Sequence, residues 1–205
     1  IVAATDLPVS ADLENGFGDD PDTVAETISL AAGVGLVGGS IEDATGRPDD
    51  PIYDFDAALA RVRAAVEAAS ALPFPFMLTA RADGYLHGRP DLAETIRRLS
   101  AFAEAGADVV YAPGLTRLDD IAAVVRAVGK PVNVLGGIGA GGGHSVAALA
   151  EVGVRRISVG AALARATLGA FLRGAGEIRD HGTFGFTAEA AKYADLNAVF
   201  ATPRS

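Results

Sequence analysis

The chain has 205 residues, of which 50% are hydrophobic and 21% are charged, a composition sufficient for one substantial core. Its net charge of -9 argues against binding to nucleic acid or to an anionic membrane surface, because both partners select basic proteins. The absence of cysteine excludes disulfides, thiolate metal sites and a cysteine nucleophile. No apolar run approaches the roughly 20 residues that span a bilayer, and we expect a cytoplasmic protein.

Short apolar segments alternate with helical patterns along the whole chain, which gives six consecutive strand–helix units. The predicted strands are 8–12, 36–42, 74–80, 108–112, 131–135 and 156–159. The predicted helices are 22–32, 54–70, 91–105, 117–128, 144–152, 161–181 and 187–200. Thr116 is the predicted N-cap of the fourth helix. Because the strands are apolar throughout, they indicate a parallel sheet that is covered on both faces.

Six such units fit an open doubly wound sheet or an eight-stranded (β/α)8 TIM-type barrel. A nucleotide-binding sheet would need a glycine-rich turn that opens directly into a helix, yet acidic residues surround Gly16 and Gly18. Ile1 to Thr5 are typical of the last turn of a helix, which favours a barrel whose first two units are absent from this chain. We therefore expect one α/β barrel domain over 1–205, with units three to eight and a helical extension over 161–200.

The first three predicted strands each lead into charged residues. Asp12 and Glu14 follow the first strand, Glu42 ends the second, and Arg81 follows the third. Since the carboxyl ends of parallel strands meet at one edge, these side chains are expected to converge there. A divalent cation would relieve the repulsion among the carboxylates, and an all-oxygen set selects Mg²⁺ or Mn²⁺. Arg81 either neutralises the acids in a structural ion network or presents its planar fork to a substrate carboxylate or phosphate.

Three segments carry a family resemblance. The segments Pro8-Val-Ser-Ala-Asp-Leu-Glu-Asn-Gly-Phe-Gly18, Ser40-Ile-Glu-Asp43 and Thr79-Ala-Arg-Ala-Asp83 resemble motifs of the isocitrate lyase/phosphoenolpyruvate mutase superfamily. Residues 104–111 and 153–160 are similar to its later repeats. The resemblance covers essentially the whole chain, and it implies an eight-stranded barrel in which the strand at Pro8 is the third.

The resemblance also implies roles for individual residues. Members bind Mg²⁺ through an acid pair after the third strand, here Asp12 and Glu14, and through the glutamate after the fourth, here Glu42. The usual pair is Asp-x-Asp, so Glu14 is longer by one methylene. Arg81 would bind and act on a small α-oxo or 2-hydroxy carboxylate, with Ser40 and Asp12 as further substrate contacts. A C–C or C–P bond of that substrate would break through an enolate.

One loop departs from the lyases of this superfamily, which carry a Lys-Lys-Cys-Gly-His segment after the fourth strand. Residues 44–53 contain neither cysteine nor lysine, which excludes a mechanism that uses that thiol. The loop is long and follows the predicted site, so a gating role is a hypothesis. Arg47 is a candidate to close over the substrate, and Tyr53 or His87 to move a proton, although each is equally an ordinary loop residue.

Two other functions stay open. The glycine-dense loop Gly136–Gly143 could hold a phosphate with its backbone N–H groups, which would make the chain a phosphate-sugar-binding barrel enzyme. A non-catalytic binding protein that keeps the acids only for stability is the third possibility. A Schiff-base aldolase is excluded, because Lys130 and Lys192 both lie away from the predicted catalytic end.

The two C-terminal helices are rich in apolar residues for the end of a chain, including Phe171, Leu172 and Phe200. Such a surface is typical of an interface between subunits. The resemblance implies that the eighth helix packs on a neighbouring subunit. We therefore expect a homodimer or homotetramer that forms through these helices.

Overall fold

The computed structural model describes residues 1–138 and 143–201 of the chain, and it contains a six-stranded parallel sheet. The strands are β1 (Ser10–Asp12), β2 (Gly38–Glu42), β3 (Met77–Arg81), β4 (Val109–Tyr111), β5 (Val132–Leu135) and β6 (Arg156–Ser158). The helices are α1 (Pro21–Gly33), α2 (Phe55–Ser70), α3 (Leu92–Glu104), α4 (Leu118–Val128), α5 (Val146–Glu151), α6 (Ala162–His181) and α7 (Tyr193–Ala201). Short 3-10 helices cover Val2–Ala4 and Gly185–Glu189.

Each strand of the sheet pairs in parallel with its neighbours in the sequence, so the strand order runs from β1 to β6 without a reversal. A doubly wound sheet contains a switch point at which the strand order reverses. The observed order therefore excludes that alternative. The sequential order and the curl of the sheet are consistent with part of a TIM-type barrel.

The chain divides into two compact units, of which the first is Ile1–Ser158 and the second begins at Val159. The first unit has two buried apolar clusters. One is built around Ile28 and Leu78, and the other around Leu99 and Phe102. These clusters fix the helices against the sheet and thereby set the positions of the strand ends. The expectation of one barrel domain with a helical extension stays a prediction.

Most helices begin where the sequence supplies a capping side chain. The caps that accept a hydrogen bond from a first-turn N–H are Asp20, Asp54, Asp91 and Ser145. The prediction of Thr116 as the cap of α4 is wrong, because Arg117 occupies the cap position and makes no side-chain hydrogen bond there. Asp119 and Asp120 in the first turn instead complement the positive end of the helix.

Strand β3 begins at Met77, three residues later than predicted, and it ends on Arg81. Pro75 lacks the N–H that a central strand needs, which explains the late start. Strand β1 likewise begins at Ser10, two residues after Pro8. The consequence for the site is that Arg81 belongs to the strand itself and is held by its ladder of hydrogen bonds.

The second unit differs from the prediction at its end. A single helix over 187–200 is wrong, since Ala190 is extended and separates the 3-10 helix from α7. The carboxylate of Glu177 in α6 accepts hydrogen bonds from the backbone N–H groups of Gly185 and Phe186, at 2.5 and 3.0 Å. These bonds fix the chain after α6 in a turn.

The length and polarity of the helices bear on membrane association. The longest helix, α6, has 20 residues and carries several charged side chains. Within residues 1–138 and 143–201, no helix is both long and apolar enough to cross a bilayer. The expected cytoplasmic location stays a prediction.

The position of the core is tested by two leucines. Leu99 of α3 is 0% exposed, whereas Leu30 of α1 is 64% exposed. We expect Leu99→Ala to lower the free energy of unfolding by about 2–5 kcal/mol, because it removes buried apolar surface and leaves a cavity. Leu30→Ala should change it by less than about 1 kcal/mol. Urea unfolding followed by circular dichroism measures both, and equal losses in the two variants would contradict the assigned core.

Candidate active site

The guanidinium of Arg81 lies among carboxylates at the carboxyl ends of β1, β2 and β3. Its Nη1 contacts Asp12 Oδ2 at 2.7 Å. Its Nη2 contacts Glu42 Oε2 at 2.9 Å and Asp83 Oδ2 at 2.7 Å. Its Nε also donates to Asp83 Oδ1 at 3.3 Å, so Asp83 accepts from one whole edge of the fork. The structure thus brings together Asp12, Glu42 and Arg81, and it adds Asp83.

The register of the sheet explains why these side chains meet. Glu42 pairs with Arg81 across β2 and β3, and Arg81 pairs with Tyr111 across β3 and β4. Paired residues on adjacent strands point to the same face of a sheet, so these three side chains form one layer. Asp12 pairs with Ser40, whose Oγ donates to Asp12 Oδ1 at 3.1 Å. Ser40 therefore orients the carboxylate that contacts Arg81.

Glu14 lies in the turn after β1 and has a φ of 51°, in the left-handed region that few residues other than glycine adopt. Its N–H donates to Asp12 Oδ1 at 3.1 Å. Its carbonyl accepts from the N–H of Glu42 at 2.9 Å. The backbone of Glu14 therefore joins the ends of β1 and β2, while its side chain is exposed beside the cluster.

The electrostatic balance of the cluster disfavours full ionisation. Burial raises the pKa of Glu42 to about 7, and the nearby carboxylates of Asp83, Asp12 and Glu14 add to this effect while Arg81 opposes it. Burial also raises the pKa of Asp83. If all of these groups were ionised, the edge would carry more negative charge than one guanidinium neutralises, which is why ionisation of Glu42 and Asp83 is disfavoured.

The oxygen atoms of Asp12, Glu14 and Glu42 match the donor chemistry that Mg²⁺ and Mn²⁺ prefer. In the described part of the chain, no group of three or more histidine, cysteine, aspartate or glutamate side chains is arranged to hold a metal ion. Mg²⁺, however, commonly uses one or two carboxylates and completes its shell with water and substrate. Asp12 and Glu42 both contact Arg81, and the assignment of Asp12, Glu14 and Glu42 as metal ligands stays a prediction.

Arg47 and Tyr53 lie in a second polar cluster around Asp19. Arg47 Nη1 contacts both carboxylate oxygens of Asp19 at 2.9 Å, and the hydroxyl of Tyr53 donates to Asp19 Oδ1. The buried Arg61 stacks on the Tyr53 ring, with its guanidinium carbon 4.3 Å from the centroid, and donates to the carbonyls of Asn15 and Asp19. These contacts fasten the loop after β2 to the loop after β1. The catalytic roles of Arg47 and Tyr53 stay predictions.

Sequence reasoning missed a polar row on the other side of Arg81. The guanidinium carbon of Arg81 lies 5.4 Å from the centroid of the Tyr111 ring, and the Tyr111 hydroxyl is hydrogen-bonded to Ser158. Asn133 Nδ2 donates to Ser158 Oγ at 3.0 Å. Asn133 is buried, and among the described residues its Oδ1 has no hydrogen-bond partner. The sequence signal that could have revealed this row was Asn133, a single amide inside the predicted apolar strand over 131–135.

Comparisons with known proteins show which sequences and folds this chain is similar to. A profile of the phosphoenolpyruvate phosphomutase family matches residues 1–179. A solved structure from Burkholderia cenocepacia J2315, described as a candidate lyase/mutase, is 65% identical with a TM-score of 0.91, and the match covers 98% of this chain and 72% of that chain. Oxaloacetate acetylhydrolase, solved in complex with its product oxalate, is 29% identical with a TM-score of 0.77, covering 94% of this chain and 66% of that chain.

A sequence relative of named activity is 2-methylisocitrate lyase from Escherichia coli K12. It is 33% identical over 132 residues, which are 62% of this chain and 43% of that enzyme. The chain spans about half the length of the relatives that it matches in sequence.

The raised pKa of Glu42 predicts how stability depends on pH in protein that is kept free of metal. The pKa rises from 4.5 to about 7 on folding, so the folded protein holds this proton more tightly than the unfolded chain does. The resulting stabilisation is fully present below pH 4.5 and is lost as pH rises towards 7. The loss is about 3 kcal/mol. We expect Glu42→Gln to reduce this slope in urea unfolding with chelator between pH 4.5 and 8, and to leave the part that comes from Asp43 and Asp83, whose pKa values burial also raises. The exposed control Glu26→Gln should retain the full slope. A slope that is equal in Glu42→Gln and in the wild type would contradict the assigned cause.

Proposed function

Because the chain belongs to the phosphoenolpyruvate phosphomutase family, in the isocitrate lyase/phosphoenolpyruvate mutase superfamily, we propose that it acts as a Mg²⁺-dependent enzyme on a small α-oxo or 2-hydroxy carboxylate. The reaction cleaves or rearranges a C–C or C–P bond of that substrate. The observation that carries the proposal is the contact of Arg81 with Asp12, Glu42 and Asp83 at the strand ends. The named relatives include a lyase and a hydrolase of small carboxylic acids, which supports the substrate class.

The charge of the cluster supports a role for a divalent cation. An anionic substrate would meet at least three carboxylates and one guanidinium, so its binding requires additional positive charge. Asp12 and Glu42 would hold the ion, with Glu14 beside them. The bound Mg²⁺ would supply Lewis-acid stabilisation of the negative charge that develops on a substrate oxygen.

Residues of the chain itself bind and orient the substrate in this proposal. Arg81 presents its positive charge to a carboxylate or phosphonate of the substrate, and its paired contacts with Asp83 fix the direction of the guanidinium. Ser40 orients Asp12 and would lie next to a substrate bound at this cluster. The chain lacks the cysteine of the lyase loop, so a group other than a thiol carries any proton that the reaction requires.

Oxalate, a planar mimic of an enolate, tests this proposal with the full chain. We expect calorimetric titration to detect oxalate binding that depends on Mg²⁺ and that weakens about tenfold or more in Asp12→Ala. The exposed control Asp119→Ala should bind within about twofold of the wild type, because Asp119 lies in the first turn of α4.

The other two candidate functions give different results in the same titration. Binding of inorganic phosphate that is indifferent to Mg²⁺ would favour the phosphate-sugar-binding enzyme, whose loop Gly136–Gly143 includes residues 139–142, outside the described residues. No response to either ligand, with Asp12→Ala neutral or stabilising, would favour a non-catalytic binding protein. Either result would contradict the proposal.

The architecture of the whole protein is part of the proposal. The six strand–helix units correspond to units three to eight of an eight-stranded (β/α)8 barrel. The sequential strand order supports this assignment, as does the longer Burkholderia chain, of which this chain covers 72%. The catalytic end of such a barrel is the carboxyl end of its strands, where the Arg81 cluster lies.

The second unit supports assembly of the protein into a homodimer or homotetramer. Its helices expose large apolar side chains, namely Leu163, Leu168, Phe171, Leu172, Tyr193, Val199 and Phe200. Large apolar side chains exposed in such number are typical of subunit interfaces.

We expect sedimentation velocity to find a dimer or tetramer of the full chain. The double substitution Phe171→Glu with Leu172→Glu should shift the population towards monomer, because it places charge on the apolar surface. The matched substitution Leu30→Glu, on exposed α1, should leave the assembly unchanged. A wild-type protein that sediments as a monomer at micromolar concentration would contradict the proposed assembly.

A further inference from the structure

We infer that Arg98, on α3, is a positioning residue that holds the guanidinium of Arg81 in place through Asp43 and Asp83. The inference rests on the proposed function of the Arg81 cluster, and it adds a residue that lies outside that cluster. Sequence reasoning gave Arg98 no role, because it lies in a helix and not at the end of a strand.

Asp43, directly after β2, is the first link. It is 2% exposed, and its Oδ2 contacts Arg98 Nη1 at 3.0 Å. Its Oδ1 accepts from the backbone N–H of Asp83 at 2.7 Å. The N–H of Asp43 donates to the carbonyl of Arg81 at 3.2 Å. Asp43 therefore ties the end of β2 to the end of β3, and its buried charge requires the cation of Arg98.

Asp83 is the second link. Its backbone is held by Asp43, and its carboxylate accepts from Arg81 Nε at 3.3 Å and from Arg81 Nη2 at 2.7 Å. This pair of parallel bonds fixes the plane of the guanidinium and not only its position. Asp83 is 2% exposed, so water does not compete for these bonds. A shift of the Asp83 backbone would therefore turn Arg81 away from Asp12 and Glu42.

Arg98 itself is held firmly. It is 9% exposed, and its Nε donates to Glu94 Oε1 at 2.7 Å, one turn earlier in α3. The next residue, Leu99, is buried in the core and fixes this face of the helix. The contacts therefore run from a packed helix through Asp43 and Asp83 to Arg81. Supporting groups on a rigid element are what a binding site needs to keep its geometry.

The neighbouring Arg97 provides a matched control. It contacts the same Glu94, with its Nε at 2.7 Å from Oε2, and its guanidinium carbon lies 3.6 Å from the centroid of the Phe55 ring. Its side chain is about half exposed, and the contacts just given do not involve Asp43. Removal of Arg97 therefore changes the charge of α3 without touching the links to Arg81.

The test compares Arg98→Gln with Arg97→Gln in the full chain. We expect Arg98→Gln to weaken Mg²⁺-dependent oxalate binding about tenfold or more, as loss of a supporting contact commonly does. In ligand-free protein, the NMR signal of the Arg81 Nε–H should shift and its hydrogen exchange should accelerate. Arg97→Gln should leave both readouts within about twofold of the wild type. Arg98→Lys should recover part of the loss, because its ammonium still pairs with Asp43.

The remaining outcomes of this test also decide the inference. If Arg98→Gln unfolds at lower urea but keeps the Arg81 signal and the oxalate affinity, then Arg98 is only a structural residue. If the wild type does not bind oxalate, the proposed function fails, yet the Arg81 signal in ligand-free protein still decides the inference. If Arg98→Gln does not fold, Asp43→Asn replaces it, since its amide removes the ion pair with Arg98 while the cation of Arg98 still pairs with Glu94. An unchanged Arg81 signal in Asp43→Asn would then reject the inference.

Discussion

The site depends on one imbalance of charge, in which a single guanidinium faces several carboxylates at the ends of three adjacent strands. Arg81 contacts Asp12, Glu42 and Asp83 at once, and the burial of Asp83 and most of Glu42 limits the screening of their charge by water, whereas Asp12 faces solvent. Parallel pairing places the strand ends side by side, and the buried apolar clusters set the positions of those ends. The sheet therefore holds the charged side chains close together. An arrangement of this kind is costly in the absence of a ligand, and its cost is the reason to expect that a cation and an anion bind there together. The family to which the chain belongs includes enzymes whose names specify small carboxylic acids, which is the class of anion that such a site would accept.

Much of the fold followed from the sequence, because two simple signals agreed. The alternation of apolar strands with helical patterns predicted the six units, and the charges after the first three strands predicted the edge at which Asp12, Glu42 and Arg81 meet. The family resemblance of the motifs is confirmed by the profile that matches residues 1–179. Details of the fold that depend on a single backbone hydrogen bond were harder to predict from the sequence. The prediction of Thr116 as a cap failed for this reason, since residues on either side of it had equal claim to begin α4.

The supporting contacts of the site could not be predicted, because long side chains choose partners that only the tertiary structure brings near. Nothing in the spacing of the sequence indicates that Arg98 reaches Asp43, 55 positions away. The loop after β2 illustrates the same limit. Arg47 and Tyr53 were candidates for catalytic roles, and their contacts with Asp19, in the loop after β1, could not be predicted from the sequence. In place of the reactive segment that lyases of the superfamily carry, this chain has a loop whose polar residues fasten one connection to another.

The backbone of Glu14 has a further consequence. A left-handed conformation costs a residue with a side chain about 1 kcal/mol relative to glycine, so this position would gain stability from the smallest amino acid. A carboxylate at this position lowers the stability of the fold while it serves the proposed chemistry of the site. Selection for a more heat-resistant protein would be expected to replace Glu14 before the other acidic residues of the cluster. A glycine at this position in a more stable homologue would therefore indicate a chain that does without the carboxylate that we propose to lie beside the metal ion.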